Sequence, residues 1–166
     1  MKRFIYYFLS VCLFFSSCSL DESPQASVDK DAIFGSEKGL ATYSYSFYNI
    51  LPSVANGFRQ DAMCDYGAVT SFDSFLRDGA YSAENSSGWS WGELRNINYF
   101  IENCVNENVD TAVRNNYIGL ARFFRAYFYY MKVVRFGDVP WIDKTFEVDS
   151  EELYAGRDPR TVVMDH

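Results

Sequence analysis

Residues 117–141, YIGLARFFRAYFYYMKVVRFGDVPW, constrain this chain more than any other stretch. Wound as a helix at about 100° per residue, the segment and the residues before it place Val113, Tyr117, Leu120, Phe124, Phe128 and Met131 on one narrow stripe. Phe123, Tyr127, Tyr130 and Val134 fill the adjacent arc, so apolar side chains cover about half the cylinder. A helix resting on one partner needs less, so this one is expected to meet neighbours on two sides, as an inner helix of a layered helical array does. Gly119 and Ala126 share a line along which a neighbour would approach closely. Arg122, Arg125 and Lys132 take the remaining face, and for Lys132 a solvated position is the expectation. Gly137 and then Pro140 end the helix, with Arg135 in its last turn complementing the dipole. The stretch is architecture and carries no catalytic chemistry.

The start of the chain reads as a targeting segment. Lys2 and Arg3 precede an apolar run over residues 4–15, too short for a bilayer span of about 20 residues, and therefore a secretory signal. Phe15-Ser16-Ser17-Cys18 then has the form of a bacterial lipobox, although Phe stands where Leu is usual. In that reading residues 1–17 are removed, and Cys18 becomes a doubly acylated N-terminus, which gives stable membrane attachment. Asp21 and Glu22 resemble the acidic signal that sends some Gram-negative lipoproteins on to the cell surface. Residues 18–30, small and polar, read as a flexible tether, which leaves 31–166 as the folded part.

The chain carries a net charge of −7, and without Lys2 and Arg3 the remainder carries −9. No basic stripe is present to replace nucleic-acid counterions, so a nucleic-acid partner is not expected. Aromatic residues make up 19% of the chain, which suits thick helix packing or a surface that stacks ligands. Cys64 and Cys104 remain after the leader, in a compartment that permits a disulfide but with nothing to fix their separation. They lack zinc-site spacing and the one histidine is His166, so neither metal nor cofactor is indicated.

Ser36 is placed to cap a helix over roughly 37–51 that closes before Pro52. Periodicity fails over 53–87, an irregular stretch of the length that loops inside a compact domain reach mainly for function. Trp89 or Trp91 opens the next helix, extending to about Asn108, with Leu94, Ile97, Ile101, Cys104 and Val105 as its stripe. A short connection leads into the long helix at Thr111, so the two helices are antiparallel neighbours. After a connector with an extended piece at Val139-Pro140-Trp141-Ile142, Asp158 as N-cap and Pro159 at the first helical position introduce another helix. A helix begun so close to His166 reads as part of a longer protein. The expectation is an all-α chain of helix hairpins of tetratricopeptide-like build, without a clean 34-residue repeat.

Several of these motifs resemble the SusD/RagB family of outer-membrane lipoproteins. The resemblance rests on the lipobox at Cys18, the helix ending Tyr48-Asn49-Ile50-Leu51, and Trp91-Gly92-Glu93-Leu94-Arg95-Asn96-Ile97-Asn98. It rests most on Ala121-Arg122-Phe123-Phe124-Arg125-Ala126 with Phe136-Gly137-Asp138-Val139-Pro140, followed by Arg157-Asp158-Pro159-Arg160. Members of that family are usually much longer. The resemblance implies a right-handed superhelical stack of tetratricopeptide-like helix pairs with long irregular loops. It also implies a place at the outer membrane facing the cell surface, lid-like over a TonB-dependent transporter of the SusC type. The ligand it implies is an oligosaccharide, or in some relatives a peptide or glycoprotein, bound without catalysis.

Sugar binding needs flat aromatic faces for C–H patches and polar groups for hydroxyls. Tyr81, Trp89 and Trp91, among Asp73, Asp78, Asn85 and Ser86, provide both and are the candidate ligand residues. For Trp91 packing against the long helix is the stronger expectation; for Trp89 and Tyr81 stacking and packing stay equally open. Arg122 and Arg125 are expected to tie layers together through carboxylates and carbonyls. Two other readings remain: an envelope glycoside hydrolase drawing a carboxylate pair from Asp61, Asp65, Asp73 and Asp78, and a helical-repeat adaptor that binds only proteins.

Overall fold

The computed structural model describes residues 30–55, 61–64, 66, 67, 70, 76, 78, 82, 84 and 86–166. Cys18, the leader and tether up to Asp29, and Asp65, Asp73, Tyr81 and Asn85 lie outside the described residues. In chain order the helices are α1 (Lys30–Phe34), α2 (Glu37–Ser44), α3 (Gly92–Asn103), α4 (Thr111–Phe136) and α5 (Arg160–Asp165). Three-ten turns follow α2 at Tyr45–Ile50 and precede α5 at Glu151–Tyr154. No strand occurs among the described residues, where a single antiparallel bridge joins Val139 to Asp158. The fold is all-α.

Local signals set most helix ends. The Ser36 side chain accepts from the Gly39 N–H at 3.1 Å, capping α2. Asp110 does the same for α4 through Ala112 N–H at 2.7 Å. At the far end Gly137 takes φ 71°, a left-handed conformation suited to glycine, and its N–H returns to the Val133 carbonyl. Differences from expectation appear where polar side chains compete with the helix. α3 stops at Asn103 rather than near Asn108, because the Asn106 side chain turns back to accept from Asn108 N–H. Arg114 then pins that connection by donating to the Val105 and Asn106 carbonyls. α2 tightens to three-ten geometry at Tyr45, and α1 begins at Lys30, the residue assigned to the end of the tether.

α3 and α4 run antiparallel: Ile97 and Phe100 meet Phe124 at one end, and Leu94 meets Phe128 further along. The α1–α2 arm closes the first cluster with aromatic rings. Phe47 lies 5.2 Å from Phe100 at 85° and 6.0 Å from Phe124, and Phe34 and Tyr43 flank Phe100 at 5.7 and 5.3 Å. The edge-to-face contact of Phe47 with Phe100 adds to plain area burial, and the other pairs are tilted. Tyr43 reaches outward from the cluster and donates to Asn96 Oδ1 at 2.7 Å.

The second neighbour of α4 is the connector after it, which lies on the Arg125–Tyr129 side. Buried Asn98 donates to the Ile142 and Lys144 carbonyls at 3.1 and 3.2 Å and accepts from Arg125 at 3.2 Å. Arg125 also donates to the Asp143 carbonyl, and the Tyr129 hydroxyl bonds both N–H and C=O of Ile142. Glu102 accepts from Thr145 N–H at 2.6 Å. The arc expected to meet that neighbour is instead open: Phe123 is 60%, Tyr130 54% and Val134 66% exposed. Met131, assigned to the buried stripe, is also exposed, and Gly119 has nothing within 4 Å of a Cβ built on it. Asp158 does not cap α5. It accepts from Trp141 N–H at 2.7 Å, and Asp138 accepts from Arg160 N–H at 2.9 Å in its place.

Removing the ring of Phe124 leaves a cavity where two aromatic layers meet, so Phe124→Ala should lower unfolding free energy by about 3–5 kcal/mol in urea titrations. The high-pH limit follows from two tyrosines. Burial pushes the hydroxyls of Tyr129 and Tyr43 above their ordinary value of 10.0. The unfolded chain therefore sheds these protons first, and stability, complete below that pH, falls as pH rises beyond it. Tyr129→Phe should flatten that decline when unfolding midpoints are followed from about pH 8 to pH 11.

Candidate functional site

The last turns of α4 carry Phe128, Lys132 and Phe136 in one register, each four residues from the next. Lys132 is only 8% exposed, contrary to the solvated position expected for it. Its ammonium lies over the rings of Phe128 and Trp91 at 4.9 and 5.3 Å and donates to the carbonyls of Gly88 and, at 2.7 Å, Ser90. Burial lowers its pKa, and the nearby charge of Arg135 lowers it further. One side chain thus ties the 86–91 segment, which leads into α3, to the far end of α4.

That tie fixes the two tryptophans. Trp91 is half-buried at the head of α3, with its ring 5.6 Å from Phe128 and 6.3 Å from Tyr129, the packing role expected for it. Trp89 meets Trp91 at 5.2 Å and 81°, and Phe136 at 4.9 Å and 90°. It nevertheless stays 42% exposed, so it packs along part of its outline and presents the rest. The Arg157 guanidinium lies 4.5 Å from its ring centre, and Arg135 lies 5.4 Å from that of Phe136. Tyr81, the third candidate, lies outside the described residues. An apolar groove of about 430 Å³ opens on the other side of Trp91, lined by Leu94, Ile142, Phe146, Val148 and Leu153.

Lys132, Arg157 and Phe136 belong to the site although sequence reasoning assigned them no such role. The four-residue spacing of Lys132 from two aromatic residues was the available signal; nothing local announces Arg157. No disulfide joins Cys64 to Cys104, and burial pushes the Cys104 thiol above its ordinary pKa. No group of His, Cys, Asp and Glu able to hold a metal ion occurs among the described residues, and no helix among them is long and apolar enough to cross a membrane.

No protein-family model matches the chain, and no curated protein or solved structure is significantly similar to it.

Lys132→Met keeps the apolar stem under Trp91 and removes both bonds to the loop. Gly88 and Ser90 are exposed, so water can reach the freed carbonyls, and global stability should fall by only about 1 kcal/mol. The loop itself should loosen, seen as red-shifted tryptophan emission and faster acrylamide quenching than in the parent protein.

Proposed function

We propose that the protein is a SusD/RagB-like lipoprotein, anchored through Cys18 in the outer membrane and facing the cell surface. It captures an oligosaccharide and passes it to a TonB-dependent outer-membrane transporter of the SusC type, without chemical change to the ligand. The observation that carries this reading is Trp89, a half-exposed indole held at the rim of a rigid helix hairpin by neighbouring rings and a buried lysine. A preformed aromatic face costs little entropy when a sugar ring settles on it. In this reading α1–α5 form layers of a right-handed tetratricopeptide-like stack. The Asn98–Arg125–Tyr129 bonds then tie the connector to one layer, the role foreseen for Arg125.

The hydrolase reading has less support. Asp61 and Asp78, the two of its four carboxylates within the described residues, are both exposed, whereas a general acid draws its raised pKa from burial. A protein-binding adaptor is favoured by one feature, the open apolar arc of Phe123, Tyr130 and Val134 on α4.

Titration of the mature chain against plant, host and microbial oligosaccharides tests the main reading. Binding is expected for at least one class, weakened about tenfold by Trp89→Ala, with every ligand recovered intact. Product formation by the pure protein would overturn it, and binding of peptides with no glycan bound would favour the adaptor. Cys18→Ser should release the protein from membrane fractions, because the acyl chains supply the attachment.

A further inference from the structure

We infer that Trp89, flanked by Arg157 and Arg135, is a subsite for a carboxylate-bearing sugar, a uronic acid unit of the captured oligosaccharide. The inference rests on the glycan-binding reading and adds the charge of the ligand to it. Trp89 and Phe136 form one perpendicular ring pair, and a guanidinium lies against each ring, Arg157 at 4.5 Å and Arg135 at 5.4 Å. Gly88 lies alongside the second of these: a Cβ built there would meet Arg135 Cζ at 3.4 Å, an ordinary contact, and its φ of +90° suits glycine.

Neither guanidinium has a carboxylate partner among the described residues, where Lys144–Glu152 is the salt bridge formed. Arg157 makes no hydrogen bond among them, and Arg135 makes one long contact, 3.4 Å to Ser87 Oγ. Among the described residues both guanidinium groups are thus open to an incoming carboxylate. The carboxylates adjacent in sequence are committed elsewhere: Asp158 accepts from Trp141 N–H and Asp138 from Arg160 N–H. Lys132 is withdrawn from an incoming anion, being buried with two of its three N–H donors on the Gly88 and Ser90 carbonyls.

A guanidinium laid on an aromatic face keeps its planar fork free and loses little further entropy on binding. That is the arrangement suited to two parallel bonds to a carboxylate. A uronate matches it in both parts, with C–H patches for the indole surface that Arg157 and the neighbouring rings leave open, and a carboxylate for the fork. A neutral hexose would satisfy the ring alone and leave both charges unmet. A peptide carboxylate would meet the fork without using the indole.

The test is calorimetric titration of the mature chain with oligomers of galacturonate, glucuronate and mannuronate, each beside its methyl ester and beside neutral oligomers of equal length. Expected are a preference for an acid form over its ester, weakening with added salt, and about tenfold loss of that affinity in Arg157→Gln and in Arg135→Gln. Ester binding should fall by less than acid binding in both variants, and Arg157→Lys should recover part of the loss of acid affinity. Both arginines are exposed, so the variants should keep the parent circular dichroism spectrum. Equal binding of acid and ester, or full acid binding in the double variant, would overturn the inference. Binding of neutral oligomers alone would overturn it and leave the glycan reading standing. Binding of none would overturn both, and equal affinity for free acetate would reduce the site to a simple anion site.

Discussion

The carboxamide of Asn98 does for the connector what a neighbouring strand does in a sheet. Residues 140–146 belong to no helix or strand, so their carbonyls and N–H groups have no ladder to enter. Buried backbone groups left unpaired are costly. Asn98 meets two of those carbonyls, Arg125 a third, Tyr129 both groups of Ile142, and Glu102 the N–H of Thr145. Because Asn98 and Glu102 stand on α3 while Arg125 and Tyr129 stand on α4, the connector can bond fully only if the two helices hold their register. The core and the connector thereby depend on one another. Burial acts on the same groups: it lowers the pKa of Arg125 against the opposing pull of Asp143 and raises that of Tyr129.

The far end of the hairpin repeats the device with a charge in place of an amide. Lys132 reaches the carbonyls of Gly88 and Ser90, and its stem fills space among Phe128, Trp91 and Phe136. Arginine would be a poorer fit, since the two carbonyls converge on one nitrogen and a planar fork spreads its donors. What the lysine holds is a segment with no regular structure of its own, and the exposed indole stands within that segment. The rigidity of the site is therefore borrowed from α4.

Much of this was legible in the sequence, and the boundary between legible and hidden follows distance along the chain. Ser36, Asp110 and Gly137 mark helix ends because each acts on backbone within four residues of itself. The Phe124–Phe128 stripe was readable from period alone. Lys132 was assigned to solvent because its partners lie more than forty residues away, |i−j| being 44 and 42. Asp158 carries every local mark of an N-cap and yet serves Trp141, while Asp138, 22 residues before Arg160, takes over its task. The two-sided packing of α4 was read correctly as a need. Its second side was misplaced, because a polar connector covers Arg125 and Tyr129 where an apolar helix was expected on Phe123 and Tyr130.

The same asymmetry bears on what the surface can do. α4 buries one face in aromatic layers, bonds a second to a polar connector and leaves a third apolar and open. Near Trp89 the exposed apolar surface is bordered by guanidinium groups, whereas Phe123, Tyr130 and Val134 expose larger apolar area along α4. Mixed apolar and charged surface binds small polar ligands with defined orientation, because each polar contact penalises a misplaced partner. Plain apolar surface gains mainly by area and discriminates little. In the proposed reading a small ligand is therefore met at the end of α4 held by Lys132, and the open arc along its middle is left to packing against a larger surface.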